Sequence, residues 1–383
     1  MLNRFSQSGL SMMDIIVGIA ISLISVLVIM QTYMVFEGQK RTTTNGADTI
    51  ESGLMGLHDI ATDTRMAGYG LTSMNALACT TLNSYYNGTT NTNVAIAPVQ
   101  IQSGGTSSDI ITTIYSNSAM GGVPVSIAAQ MPDSSSVLTV TNGNGIQAND
   151  MIWVSTPGSG LPCSQLQVTD MQTQHNGVNL LHDSGLSQYN PPGGSNIFPV
   201  QGYGITPPSY VIDMGSLVQH QFQVLCNTLT MTAITASAGA PSCTSQNSFT
   251  NTNPIANNIV MLKAQYGIAP AGSQSVNCWV NPTSSGNACD SDNWASPSAA
   301  DIARIKAIRV AIVTRSSQMD RQIVSNPCTN VSGETNQGPC LWPDTTSDPA
   351  PLIDLSSNTN WRHYRYRVYQ TVVPLRNILW ANL

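Results

Sequence analysis

The apolar and polar positions of this chain change texture along its length. From Ile15 to Phe36 there are 22 residues without a charge. As a helix that run is about 33 Å long at roughly 1.5 Å per residue, enough to cross the hydrocarbon core of a membrane. Gly18, Ser22 and Ser25 place small side chains along it, a pattern that lets helices approach closely. Beyond Glu37 the run passes into a polar segment where Ile50, Leu54, Leu57 and Ala61 recur with helical spacing. Gly68 and Gly70 are stop signals. The spacing predicts one long helix from about Leu10 to Arg65, with Ile50, Leu54, Leu57 and Ala61 as its packed face. Gly38, Gly46, Gly53 and Gly56 would loosen it locally, since each Gly costs up to about 1 kcal/mol against Ala.

From about residue 70 the apolar alternations shorten and polar linkers multiply, as in a β-rich region. Residues 110–115, 137–140 and 151–154 read as strands, with Asn142-Gly143-Asn144-Gly145 as a hairpin turn between the last two. Residues 225–235 read as a further strand, and 156–162, 191–194 and 238–243 as loops. Ile308, Val310 and Ile312 alternate with Arg309, Ala311 and Val313, the period of a half-buried strand. Tyr364, Tyr366 and Val368 alternate with Arg365, Arg367 and Tyr369, which reads as an edge strand with one wet face.

Composition sharpens this picture. Only 9% of the 383 residues are charged, against roughly 25% in an ordinary soluble domain. No Lys or Arg occurs between Arg65 and Lys263, and the net charge of −6 falls in that middle stretch. A base-free middle argues against a nucleic-acid partner, which needs a basic stripe to displace phosphate counterions. Plentiful apolar residues and a small net charge favour a folded chain over a disordered one.

The eight cysteines are Cys79, Cys163, Cys226, Cys243, Cys278, Cys289, Cys328 and Cys340. They are widely spaced and form no CxxC, so they read as disulfides of an oxidising compartment and not as a zinc site. Eight cysteines allow about a hundred pairings. Pairing sequence neighbours is the simplest choice: Cys226–Cys243, Cys278–Cys289 and Cys328–Cys340, leaving Cys79–Cys163.

A search for chemistry finds no catalytic residues, no metal site and no cofactor. There is no P-loop, HExxH or GxSxG. Gly143-x-Gly145-x-x-Ala148 lacks the helix that a dinucleotide fingerprint needs. Asp290-x-Asp292-Asn293 begins like a calcium loop, but Trp294-Ala295 breaks the pattern. His58, His175, His182, His220 and His363 show no metal-ligand spacing.

Neither a signal peptide, which would show a cleavage site after the apolar run, nor a simple anchor explains Asp14. It is a lone carboxylate at the start of the run, and an unpaired acid in lipid costs a few kcal/mol. The segment Ser8-Gly9-Leu10-Ser11-Met12-Met13-Asp14 resembles the prepilin motif of type IV pilins and type II secretion pseudopilins. That resemblance implies a leader, residues 1–9, cut by a prepilin peptidase after Gly9, with Leu10 as the methylated first residue. It implies that Asp14, where the family usually carries Glu, pairs with the terminal amine of a neighbouring subunit. Leu10 replaces the commoner Phe, and Arg4 alone supplies the leader's positive charge.

Further blocks resemble PilW-type minor pilins. They are Asp59-Ile60-Ala61-Thr62-Asp63-Thr64-Arg65-Met66-Ala67-Gly68-Tyr69, then 257–267, 307–316 and 364–377. In the first of these, Arg65 would pair with a nearby acid and Gly68-Tyr69 would turn the chain into the head. The resemblance implies an α+β, pilin-like fold. A filament-core helix (10–36) continues as an amphipathic helix (37–68) and packs on an exported, mostly antiparallel β head (69–383). Residues 255–383 resemble the family's C-terminal part, and 75–250 resemble nothing named.

The implied function is that of a minor pilin, a non-enzymatic subunit that helps initiate a type IV pilus at or near its tip and presents a tip adhesin. Its implied partners are major and minor pilins, the prepilin peptidase, the inner-membrane assembly platform and that adhesin. Its implied location is the bacterial inner membrane, head in the periplasm, and then the extracellular pilus. Two readings stand beside it: a pseudopilin of type II secretion similar to GspJ, and an adhesive module acting through the middle region.

Overall fold

The computed structural model describes residues 11–73, 76–77, 79–120, 122–193, 197–235 and 239–380. One helix, Met12–Met66, runs for 55 residues and begins in a capping box formed by Ser11 and Asp14. Its lower part is uncovered, while its upper part lies on β-sheet. The helix ends at Ala67, and Gly68 and Gly70, with φ of 82° and 77°, turn the chain into the head.

Two sheets receive the helix. The four-stranded one runs in the order Cys278–Val280, Ile259–Ile268, Ile305–Arg315, Tyr366–Pro374. The five-stranded one runs Asn253–Asn257, Thr228–Ala233, Val218–Leu225, Ile110–Tyr115, Val99–Gln102. Both are antiparallel throughout. Their shared core holds Ile60, Ala61, Leu229, Ile259, Ile308 and Ile312. The result is the α+β, pilin-like arrangement of a long apolar helix on mostly antiparallel sheets.

The middle of the chain folds around apolar cores of its own. A six-stranded sheet centres on Met151–Ser155, flanked by Cys163–Gln167 and Tyr210–Gly215. Leu138, Val140, Ile152, Val154, Leu166 and Tyr203 fill one cluster there. The base-free stretch is therefore ordered because its apolar residues converge, whatever its lack of charge.

Several expectations change. The turn at 142–145 exists, but the strands around it do not form a hairpin. Leu138–Val140 pairs with Gly177–Leu181, and Met151–Ser155 pairs in the other sheet; Leu138 and Val140 thereby join Leu180, and Ile152 and Val154 join Leu166 and Val211, in one buried apolar cluster. The strand expected at 225–235 instead starts at Thr228, after a two-residue turn at Cys226 and Asn227. Both turn residues have positive φ, 48° and 58°, as tight hairpins require.

Ile305–Arg315 is buried on both faces, not half-buried. Ile308, Val310 and Ile312 join the helix-side core, while Ala311 and Val313 meet Leu341, Ile353 and Trp361. Tyr366–Pro374 is the edge strand, with Arg367, Gln370, Val372 and Pro374 exposed.

The packed face of the helix agrees with expectation at Leu57 and Ala61 but not at Ile50 and Leu54. Its buried residues are Thr49, Gly53, Gly56, Ile60, Ala61 and Thr64, whereas Ile50 and Leu54 are exposed. The sheet comes close to the helix backbone, and only small residues admit that approach. A Cβ on Gly53 would lie 2.3 Å from the Tyr369 ring, and one on Gly56 would lie 2.9 Å from Leu229. These two glycines are docking points, whereas a Cβ on Gly38 or Gly46 would meet nothing within 4 Å.

Candidate assembly interface

Every residue from Met12 to Phe36 is exposed, in a helix long and apolar enough to cross a membrane. The serine and threonine hydroxyls within this segment are satisfied internally. Ser22 donates to the Ile19 carbonyl at 2.8 Å, Ser25 to Ile21 at 2.9 Å and Thr32 to Val28 at 2.8 Å. The segment can thus enter an apolar phase without stranding these donors. Ile50 and Leu54 extend the uncovered apolar surface upward onto the head-bearing half.

Asp14 sits at the third helical position and is exposed. Its carboxylate accepts the Ser11 N–H at 3.2 Å, while the Ser11 hydroxyl accepts the Asp14 N–H at 3.4 Å. In the single chain this acid therefore serves the helix start, where the helix dipole favours negative charge. Gly9 and Leu10 lie outside the described residues.

The upper half is fixed by polar contacts that periodicity alone does not reveal. Asp63 faces Ile110–Tyr115 and Val218–Leu225, where cross-strand register sets Thr113 opposite His220. Thr113 and Tyr115 donate their hydroxyls to its carboxylate, Tyr115 at 2.8 Å, and His220 Nδ1 lies 2.9 Å away. Burial opposes the charge on Asp63, but the bonds from His220, Thr113 and Tyr115 outweigh it and hold the carboxyl below its usual range. Burial and the nearby Asp63 push the Tyr115 phenol up.

Arg65, expected to find an acid, is exposed and forms no ion pair among the described residues. The adjoining Asp63 faces the sheet instead. At the helix end, the Asn377 amide donates to the carbonyls of Met66 and Ala67, each at 3.1 Å. It adds a side-chain donor at the helix C-terminus, where backbone carbonyls run out of intrahelical partners, although Met66 also accepts the Tyr69 N–H at 3.0 Å. An acid three residues after the buried Ile60 is a weak sequence sign of the Asp63 anchor; Asn377 closes the block 364–377, but nothing in the sequence gives it the role of a helix-end donor.

Buried charges tie the C-terminal sheet to its surroundings. Lys263 Nζ donates to Asp109 at 3.0 Å and to the Gly105 carbonyl at 2.6 Å. Asp109 also accepts the N–H groups of Gly104 and Ala264. Arg309 lies between the rings of Trp279 and Trp342, 4.8 and 4.1 Å from their centroids, and pairs with Asp348. Burial lowers its pKa to about 10 despite Asp348. Trp279 adjoins the Cys278–Cys289 disulfide and Trp342 lies near Cys328–Cys340, so Arg309 pins two cross-linked loops to one strand.

Residues 217–377 match the family model of PilW, Type IV Pilus-assembly protein W. The match takes in the hairpin Val218–Leu225 and Thr228–Ala233, whose residues carry none of the recognisable sequence blocks. It spans His220, Lys263, Arg309 and Asn377, so the PilW region supplies partners for the helix and for the buried ion pairs. No curated protein and no solved structure gave a significant match.

The remaining candidates are structural in this fold. All eight cysteines pair, as Cys79–Cys163, Cys226–Cys243, Cys278–Cys289 and Cys328–Cys340. Asp290 and Asp292, together with Asp301, surround the Arg304 guanidinium. These carboxylates thus serve an ion-pair cluster around one guanidinium. No group of His, Cys, Asp and Glu suited to a metal occurs among the described residues.

Proposed function

We propose that this chain is a minor pilin, a subunit that enters a type IV pilus and helps start its assembly. One observation carries the reading: a long apolar helix, wholly uncovered over 12–36 and bearing a single carboxylate at its start, stands on a head whose C-terminal part matches PilW. Such a surface needs lipid before assembly and other helices afterwards.

In this reading a prepilin peptidase cuts between Gly9 and Leu10 and methylates the new amine. On leaving the inner membrane, Asp14 exchanges its bond to the Ser11 N–H for a neighbouring subunit's terminal amine. A charge-assisted bond in an apolar filament core is stronger than a capping bond to a neutral N–H. The head passes from periplasm to cell exterior, where the four disulfides suit oxidising surroundings. The subunit stands at or near the tip, contacts major and minor pilins and the assembly platform, and carries a tip adhesin. The middle region, with apolar clusters of its own, is the surface it offers to that adhesin.

Mass spectrometry of purified pili tests the cleavage and the location together. The expected N-terminal peptide begins at a methylated Leu10 and appears in sheared fibres. A fibre-borne chain that still begins at Met1 would refute the processing, and its absence from pili but presence in a secretion complex would favour the pseudopilin reading. Substituting Asp14→Ala should reduce incorporation into the fibre and leave the fold of the head unchanged.

A further inference from the structure

The apolar run ends at Phe36, yet part of the head comes down to meet it. After strand Ile305–Arg315 the chain enters a loop that follows the helix toward its lower half. Ser317 donates to the Asn45 side chain at 2.8 Å. Further along, Met319, Asp320 and Arg321 face Tyr33, Met34 and Glu37 across a groove of about 590 Å³. Asn45 stands about 14 Å above Phe36 along the helix, and Tyr33 belongs to the apolar run itself. The loop therefore spans the level at which a bilayer's hydrocarbon gives way to its headgroups.

The side chains presented there are of two kinds. Met319, on the groove, is 52% exposed, a large apolar group with little cover, and Ile323 further along the same loop is equally exposed. Arg321, Arg365 and Arg367 are exposed cations on the same groove. Arg365 shares its charge with Asp320 at 3.0 Å. Arg321 and Arg367 form no ion pair among the described residues, and Lys40 adds an exposed base just above Glu37. An exposed apolar side chain beside several guanidinium groups, next to the end of an apolar helix run, is the combination an interfacial anchor needs. Arginine suits this role because its planar fork matches phosphate oxygens.

We propose that residues 316–323, together with Arg365 and Arg367, form a foot that rests the head on anionic phospholipid headgroups while the helix is inserted. The foot would steady the head against tilting about Gly38 and Gly46, where no side chain stiffens the helix and the surroundings are open. When the subunit is extracted, the same residues are freed of lipid. The proposal rests on reading 15–36 as a membrane span, and its test separates the two.

The full chain is reconstituted in nanodiscs of phosphatidylcholine alone and of phosphatidylcholine mixed with phosphatidylglycerol. Retention in both kinds of disc reads the span; hydrogen exchange over 316–323 reads the foot. The expected result is retention in both, with exchange several-fold slower in the anionic discs. A variant carrying Arg321→Gln and Arg367→Gln should lose that difference while staying in the discs, and Met319→Ser should weaken it. Failure of retention would overturn the span. Retention with equal exchange in both lipids, or a difference that survives the double substitution, would overturn the foot. Slowing that requires an added pilin subunit would reassign the loop to a subunit contact and overturn it as well.

Discussion

Among single residues, the contrast between Asp14 and Asp63 is informative. Both are acids on the same helix, and the sequence makes Asp14 conspicuous because it interrupts an apolar run. Asp63 sits among other polar residues and stands out only in the fold, where Thr113, Tyr115 and His220 converge on it. Substituting Asp63→Ala removes the acceptor for these donors and should lower stability by about 3 kcal/mol, read by thermal unfolding of the full chain in detergent. The pH dependence has a definite sign. The Asp63 carboxyl is held below its ordinary value of 3.8, so its stabilising effect is complete above that value and is lost as pH falls through the lowered one. Acid unfolding should lose this component in an Asp63→Asn variant, which keeps an acceptor but no longer titrates.

Within the helix as an element, neighbouring positions have opposite roles. Gly53 lies against Tyr369, and a methyl group there would collide with the ring close to its attachment. Gly53→Ala should therefore destabilise the head by about 1–3 kcal/mol, although Ala is the better helix former. A methyl group on Gly46 would meet nothing within 4 Å, so Gly46→Ala should gain up to about 1 kcal/mol. Leu54, one residue beyond Gly53, is 55% exposed. Leu54→Ser should change thermal stability by no more than about 0.5 kcal/mol. If the proposed filament packing holds, it should nevertheless reduce recovery of the subunit in sheared pili, since it alters an uncovered apolar face of the helix. Periodicity locates the helix but places its packed face on the larger side chains. Close approach to a sheet selects the small ones.

Across the whole molecule, the disulfides differ in what they hold. Cys79–Cys163 closes a separation of 84 residues, from the start of the middle region into its central sheet. Cys278–Cys289 closes only 11. Replacing both cysteines of the first pair by Ser should cost about 4.5 kcal/mol, and of the second nearer ~3, in denaturant unfolding. The order of residues is enough to define the apolar run at Ile15–Phe36, the carboxylate at Asp14, the length of the helix and the β character of the remainder. Those signals are local, since each is written in the periodicity or composition of a few consecutive residues. It took the folded chain to show that Leu138–Val140 pairs with Gly177–Leu181, that Ile305–Arg315 is covered on both faces, and that Asp63 and Asn377 hold the docked end of the helix. These choices join residues far apart in sequence. Their free energy comes from surfaces and hydrogen-bond partners that exist only once the other elements are in place.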